Sequence, residues 1–358
     1  PPPPPSFFLH QHPAIPDAQE SRGLGDVYKR QDNDIEIEKS NMSFSVCVQG
    51  TDIEYCGRGL LGIFSNKKNF FNFNFFKMFF EIIKFYKKSN NLKNIEEDLT
   101  LDDFLKREKM SKYFINYHII PMVSAIWSMP PYEAKQMPLK FFLKFFQNHG
   151  LFSLKNRPQW YTIKNRSRTY VKKILETISG VYYKNYRINK ISRFSNGVKV
   201  YYGGNNEFFD YDKVVIATHA DEALSLIADP THEEKSILAN FKYKSNIAIL
   251  HTDDSLMPKN KKAWSSWNSS INKDNTSETS ITYWLNLLQN LKTNKNIFLS
   301  LNPFLKIDQK KIISKVTFTH PYYDKEALQN QNRLKNCLLY TSDAADEGLG
   351  VDLGGRRI

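Results

Sequence analysis

His219 and Asp221 are the closest pair of groups able to move a proton, two residues apart just after an apolar run. An imidazole beside a carboxylate could serve as acid and base. A plainer duty competes, because both stand where a helix begins and residues there orient or cap its first turn. His118 and His149 have no partner at ligand spacing and are expected to be capped or core-edge histidines. Cys47 and Cys56 could face each other across a hairpin, but two free thiols are the expectation for a reducing cytosol. No CxxC or HExxH occurs, so metal binding has no support. Gly57, Gly59 and Gly62 could cradle a phosphate, yet they do not form GxGxxG after a strand and read as turn chemistry. Trp264, Trp267, Tyr283 and Trp284 could wall an apolar substrate pocket, against the commoner use of strand aromatics as core.

The elements that hold these groups are organised around Tyr182–Glu222. Tyr182 to Ile191 reads as a strand, Ser195-Asn196-Gly197 as a turn, and Val198 to Tyr202 as the returning strand. Gly203-Gly204-Asn205-Asn206 turns the chain again into Phe208–Tyr211. Asn-Gly and Gly-Gly turns supply the positive φ that tight hairpins need. Val214 to Ala217 is continuously apolar, as expected of a strand buried on both faces, and helix is expected from Asp221 to Asn240.

Upstream, Met42–Val48 and Thr51–Cys56 read as a hairpin across Gln49-Gly50. Asn69–Lys88 is dense in Phe, with lysines interleaved at helical spacing in its later part. It reads as a helix feeding a protein core, with an amphipathic helix on anionic lipid as the second reading. Thr100-Leu101-Asp102-Asp103 is a helix-start signal, Ser111 a further cap, and Pro121 a kink. Pro138 opens a helix that Gly150 ends. Asn246–His251, Ala263–Asn268, Ser280–Leu285, Ile297–Leu301 and Ile313–Thr319 read as strands of a mixed sheet, with a short helix near Leu287.

Composition sets the limits. A chain of 358 residues, 41% hydrophobic and 14% aromatic, can fill a two-domain core. The net charge of +13 would suit nucleic acid or an anionic membrane. Arg makes up only 12 of the 50 basic residues and no nucleic-acid motif accompanies them, so no nucleic-acid partner is expected. No uncharged apolar run is long enough to span a bilayer. A cytoplasmic chain follows, membrane-peripheral under the second reading. Residues 1–31, led by five prolines, and residues 337–358 contain no Asn in an Asn-rich chain. They resemble translated adaptor read-through and are set aside.

Several motifs occur together in a known order. Arg157-Pro158-Gln159-Trp160, Ser167–Val171 (SRTYV), Ala217-Thr218-His219-Ala220-Asp221, Ala263–Asn268 (AWSSWN) and Thr282–Asn286 (TYWLN) resemble the bacterial FAD-dependent amine oxidase-like family, from about Met42 to Pro321. That resemblance implies an α/β fold. Its parts would be a partial FAD/NAD(P)-binding, Rossmann-like domain with a β-meander and a mixed-sheet α+β substrate domain. Residues 32–156 and 223–336 would form the two parts of the substrate domain, with 157–222 the second part of the FAD domain. Leader 1–31 and tail 337–358 would flank them. By motif match Ile188 would meet adenine, and Ala217 and Thr218 the diphosphate side. The cofactor implied is FAD, and the activity an oxidoreductase that passes a hydride from an amine or acyl-chain substrate to flavin.

Two departures matter. Relatives carry two glycines where this chain has Asn165-Arg166. Their opening GxGxxG unit and closing glycine-rich segment also have no counterpart here. The expectation is therefore a fragment, with weak FAD binding and without activity on its own. The alternative is a lipid-binding or non-catalytic module that uses the basic aromatic helix 69–88.

Overall fold

The computed structural model describes residues 6–9, 35–92, 95–96, 98–153, 158–204 and 206–337. The strands in chain order are β1 (Ser6–Leu9), β2 (Ile37–Ser40), β3 (Phe44–Gln49), β4 (Glu54–Cys56), β5 (Trp160–Ile163), β6 (Val181–Lys184) and β7 (Ile188–Phe194). They continue as β8 (Gly197–Tyr202), β9 (Glu207–Tyr211), β10 (Lys242–His251), β11 (Trp267–Asn272), β12 (Thr279–Trp284), β13 (Phe298–Leu301) and β14 (Ile312–Tyr322). The helices begin with α1 (Gly59–Ile63), α2 (Phe73–Asn91), α3 (Leu101–Arg107), α4 (Lys112–Phe114), α5 (Ile120–Trp127), α6 (Pro131–Gln136) and α7 (Leu139–Asn148). After them come α8 (Ser167–Thr177), α9 (Ala220–Leu226), α10 (His232–Leu238), α11 (Leu285–Leu288) and α12 (Lys325–Cys337). Arg157, Asn205, the leader except Ser6–Leu9 and the tail after Cys337 lie outside the described residues.

Two compact units interleave along the chain. One takes the described residues of 1–14, 174–244 and 321–358; the other takes those of 15–173 and 245–320.

In the first unit, β7, β8 and β9 form the expected antiparallel meander. The Ser195-Asn196-Gly197 turn closes its first hairpin, with Phe194 opposite Gly197. A Cβ on Gly197 would lie 2.4 Å from the Tyr211 carbonyl oxygen, so only glycine fits there. The strand expected from Tyr182 to Ile191 is broken in two, because Asn185 takes φ +66 between β6 and β7. The β6 segment pairs instead with β1 in parallel. The helix expected from Asp221 to Asn240 also divides, into α9 and α10, and Thr231 starts α10 with a capping box to Glu234. Ile237, Leu238, Phe241, Ala220, Ala327 and Leu334 form this unit's apolar core. Arg193 ties the meander to α10 through Glu234 at 2.8 Å and Asp229 at 3.4 Å.

Val214–Ala217 is not a strand. It runs extended from β9 to α9 with Val215 61% exposed. A strand buried on both faces needs ladders on its edges, and no described strand pairs with this run.

The second unit is built on a seven-stranded sheet of order β14-β10-β13-β12-β11-β3-β4. It is mixed, since β3 and β11 run parallel while β3–β4, β11–β12, β12–β13 and β10–β13 are antiparallel. The strand expected at Ala263–Asn268 starts only at Trp267, because Lys261–Ala263 turn as a short 3-10 helix capped by Asn260. One sheet face is apolar: Ala248, Leu250, Ile281, Tyr283, Leu299 and Leu301 pack with Ala125 of α5.

The helical part is an aromatic core. Phe85 of α2 is fully buried and meets Phe114, Phe104, Phe142 and Phe152 with ring centroids 5.4 to 6.2 Å apart. The lipid-facing role for helix 69–88 therefore does not hold along α2 as a whole, whose Phe75, Met78, Ile82, Phe85 and Tyr86 face inward. Thr100 and Ser111 cap α3 and α4 as expected, and Gly150 ends α7 at φ +63. Pro121 leaves its mark upstream, where residues 115–119 widen into a π-helix between α4 and α5. Having no N–H, Pro121 frees the Tyr117 carbonyl, which accepts from the Tyr55 hydroxyl at 2.8 Å.

Candidate functional site

Within the first unit, Ile188 is half-buried at the start of β7, opposite Tyr202, and a bulge separates it from Lys190. Ala217 and Thr218 lie exposed on the extended run before α9. His219 occupies the N-cap of α9 but makes no capping bond with its side chain. Tyr243 does that work instead, as its hydroxyl oxygen accepts the Ala220 N–H at 2.8 Å while the His219 ring stacks on the Tyr243 ring at 4.2 Å. Asp221 accepts the Glu222 N–H at 2.9 Å, so its carboxylate serves the helix start. The His219–Asp221 pair is thus a helix-entry device.

Within the second unit, the four aromatics expected to form one wall separate into two pairs. Trp267 and Tyr283 are cross-strand partners on β11 and β12, in edge contact at 5.0 Å on the apolar face. Trp264 and Trp284 meet at 5.3 Å beside Met257 and Phe298 on the other side. Neighbouring strand residues point to opposite faces, so Tyr283 and Trp284 cannot share a wall. The two pairs differ in polar satisfaction as well. Trp264 Nε1–H donates to the Pro258 carbonyl at 2.8 Å and Trp284 Nε1–H to Asn296 at 3.2 Å. Trp267 is half-buried, and its Nε1 is enclosed without a hydrogen-bond partner among the described residues.

On the face opposite the Trp267–Tyr283 pair, a buried polar row crosses five strands and ends on a histidine. Ser45 donates to Asn268 Oδ1 at 2.7 Å, and Asn268 Nδ2 donates to the Thr282 carbonyl at 3.0 Å. Thr282 and Ser300 share a hydrogen bond at 2.7 Å, and Ser300 Oγ lies 2.8 Å from His251 Nε2. This row was not anticipated from sequence. The signal was the polar half of the alternation in β11 to β13, which usually marks a solvent face.

The row resembles a nucleophile–histidine–acid arrangement, and its proton directions exclude that chemistry. The Asp253 backbone N–H donates to His251 Nδ1 at 3.1 Å, so Nδ1 is the acceptor and Nε2 carries the proton. Nε2–H therefore points at Ser300 Oγ and cannot take its hydrogen. Burial holds His251 at a pKa of about 4, neutral across the physiological range. The Asp253 carboxylate turns away to the N–H groups of Asp308 (2.9 Å) and Ser255 (3.2 Å) and to Lys311 (3.1 Å). The row is structural.

Other candidates also resolve. His118 is buried between Tyr55 (3.0 Å) and Tyr86 (3.3 Å), and His149 bonds the Phe145 carbonyl at 2.8 Å. Cys47 and Cys56 are free and buried, and burial pushes the Cys47 thiol up to about 12. Gly57 lies in the turn leading into α1, while Gly59, at φ +69, opens that helix and Gly62 is buried within it. No group of three or more metal-ligating side chains occurs among the described residues.

The turn at Asn165–Arg166 holds both residues in the backbone region that glycine adopts most readily. Asn165 takes φ +62 and Arg166 φ +72, the left-handed region in which side chains are strained. The Arg166 N–H donates to the Ile163 carbonyl at 3.1 Å, joining β5 to α8.

No family model matches the chain. No curated protein matches it either. Solved structures do. An Exiguobacterium sp. 255-15 protein assigned as a protoporphyrinogen oxidase aligns over 91% of this chain and 83% of its own, with TM-score 0.55 and 12% identity. Cyclohexylamine oxidase from Brevibacterium oxydans IH-35A aligns over 87% and 77%, with TM-score 0.53 and 10% identity. The fold is that of the amine oxidases. A fatty acid isomerase from P. acnes shares it, with TM-score 0.56, 10% identity and coverage of 88% and 77%. The amine oxidase fold thus spans both units, and the Trp267–Tyr283 pair lies on its large mixed sheet. Among the described residues no helix is long and apolar enough to cross a membrane.

Proposed function

We propose that the chain belongs to an FAD-dependent oxidoreductase of amine oxidase type. The carrying observation is the alignment of nearly nine-tenths of the chain, through both units, on oxidases of that fold. Flavin, when bound, accepts a hydride from a substrate C–H, so the protein's share is to position the substrate and keep the site dry.

The fit to FAD is partial. The meander offers the half-buried edge at Ile188 for adenine, and Ala217 and Thr218 present an open backbone for the diphosphate side. Among the described residues no glycine-rich turn opens a helix toward a diphosphate, and that is the larger share of such a site. Weak FAD binding is the expected result.

On the substrate side, Trp267 contacts the substrate with Tyr283 packed behind it in the apolar core, while Trp264 and Trp284 pair on the opposite face. The indole N–H of Trp267, without a partner among the described residues, supports that division, since those of Trp264 and Trp284 are both bonded. Both substrate classes, an amine and an acyl chain, stay open, and neighbours of the fold are named for each. A cleft of about 130 Å³ beside Asn116, Pro121, Tyr132 and Thr276 is too small to take either with its cofactor, since such sites run to roughly 300 Å³ or more.

The experiment is an FAD titration of the purified chain followed by visible absorbance and tryptophan quenching. An ordered flavin spectrum that an alkylamine or an unsaturated fatty acid bleaches without oxygen supports the reading and selects the substrate. No saturable flavin binding at any concentration overturns it for this chain.

A further inference from the structure

The corner that enters α2 has a surface a soluble face would not carry. Leu60 and Leu61 of α1 are 73% and 85% exposed, and Phe71 and Phe73 are 92% and 80% exposed, with Phe70 half-exposed beside them. Isolated apolar side chains on a surface are ordinary, whereas a cluster of this size marks a contact. The cluster is held rigidly. Phe70 stacks on Phe64 at 3.9 Å, and Asn69 is buried beneath, donating to the carbonyls of Glu54 (3.0 Å) and Ile63 (3.4 Å). Inward-facing Phe75 and Met78 anchor the start of α2.

Charge around the corner is mostly positive. Residues 57–80 contain Arg58, Lys67, Lys68 and Lys77 and no acidic residue. A second basic segment, Lys259, Lys261 and Lys262, is tied to the same corner. The Glu54 carboxylate accepts the N–H groups of Lys259 (2.8 Å) and Asn260 (3.0 Å), Asn260 donates to the Ser65 carbonyl, and Arg58 donates to the Lys262 carbonyl at 3.4 Å. All seven basic side chains are exposed, and Asp52, paired with Lys68 at 3.0 Å, is the acidic partner that the described ion pairs give this group.

We propose that this corner docks on an anionic lipid surface, with Leu60, Leu61, Phe71 and Phe73 entering the headgroup–acyl boundary and the basic rim meeting lipid phosphates and carboxylates. The chemistry favours lipid over a protein partner. Protein contact sites are enriched in aromatic residues and Arg and depleted of Lys, and here the rim is mostly Lys. Lysine stems can lie along the bilayer boundary while their ammonium groups stay wet. Lys84 and Lys88, further along α2, are not part of it, since Lys88 pairs with Glu108 at 2.5 Å and Lys84 reaches the Glu108 carbonyl. The docking element is therefore α1, the turn after it and the start of α2. The inference does not depend on flavin binding.

The test is co-sedimentation of the full chain with phosphatidylcholine vesicles, with and without phosphatidylserine, at low and high salt. Binding only to the anionic vesicles and weakened by salt is expected. Phe71→Ser with Phe73→Ser should lower partitioning at least about tenfold, and Lys67→Glu with Lys261→Glu should abolish the preference for anionic lipid. Circular dichroism of each variant checks the fold, and these exposed positions are not needed for it. Phe71→Trp gives a direct readout, an emission blue shift on anionic vesicles. Absent binding, equal binding to neutral vesicles, or an unmoved emission overturns the proposal. So does a concentration-dependent dimer that the Phe71→Ser/Phe73→Ser variant abolishes, because the patch would then join two copies of the chain.

Discussion

His251 should make the second unit sensitive to mild acid, and the size of the effect can be worked from its surroundings. It is fully buried, its Nδ1 accepts a backbone N–H, and burial lowers its pKa from 6.5 to about 4. The folded pKa is depressed, so the native state binds fewer protons than the unfolded chain over the interval between those values. Stability from this group is complete above about pH 6.5 and is lost as pH falls toward about 4. The full gap corresponds to about 3 kcal/mol; solvent screening brings the expected loss to about 2 kcal/mol. His251→Gln keeps a donor for Ser300 and removes the titration. Urea midpoints of wild type and His251→Gln should differ most near neutral pH, and their gap should shrink by about 2 kcal/mol between pH 7 and about 4.5. The comparison cancels the carboxylates common to both. A constant gap, or an NMR titration placing the His251 ring near 6.5, would refute the tautomer and burial argument.

Three further outcomes are expected. Arg166→Gly should raise stability by about 1 kcal/mol, because relief of strain at φ +72 exceeds the added freedom of the unfolded chain; Arg166→Val should lower it, and thermal melts decide between them. Trp264→Ala should cost about 3 to 5 kcal/mol as a buried, hydrogen-bonded ring. Trp267→Ala should cost roughly half that by the same denaturation assay, and equal costs would contradict the division of the four aromatics. Arg193→Ala should destabilise the first unit by about 1 kcal/mol through loss of its Glu234 and Asp229 contacts, read as faster amide exchange in α10.

Much of the local structure was legible because it rests on near neighbours. The meander followed from Asn196-Gly197, and the helix starts at Thr100 and Ser111 from side chains that bond their own first turns. The left-handed turn at Asn165–Arg166 was recoverable only by comparison with glycines in relatives, since Arg carries no such signal itself. What failed depended on distant partners. Val214–Ala217 reads as an inner strand by its side chains, yet a strand exists only where another chain segment completes its ladder. The four aromatics were grouped by type, although the adjacency of Tyr283 and Trp284 already places them on opposite faces. The polar row ending at His251 escaped because its members are distributed over five strands, and only register brings Ser45 beside Asn268 and Thr282 beside Ser300.

That register has a consequence during synthesis. Ser45 and Asn268 are 223 residues apart, yet β3 has no partner but β4 until β11 exists. At about 5 to 20 residues per second, the β3–β4 hairpin waits roughly 10 to 40 s on the ribosome with an open edge of Ser45, Val46, Cys47 and Val48. A two-stranded hairpin is marginal in water, and an apolar unpaired edge invites the wrong strand. The chain should therefore depend on something that shields nascent edges, and its yield should respond to translation speed between residues 50 and 270 more than to the stability of the finished fold.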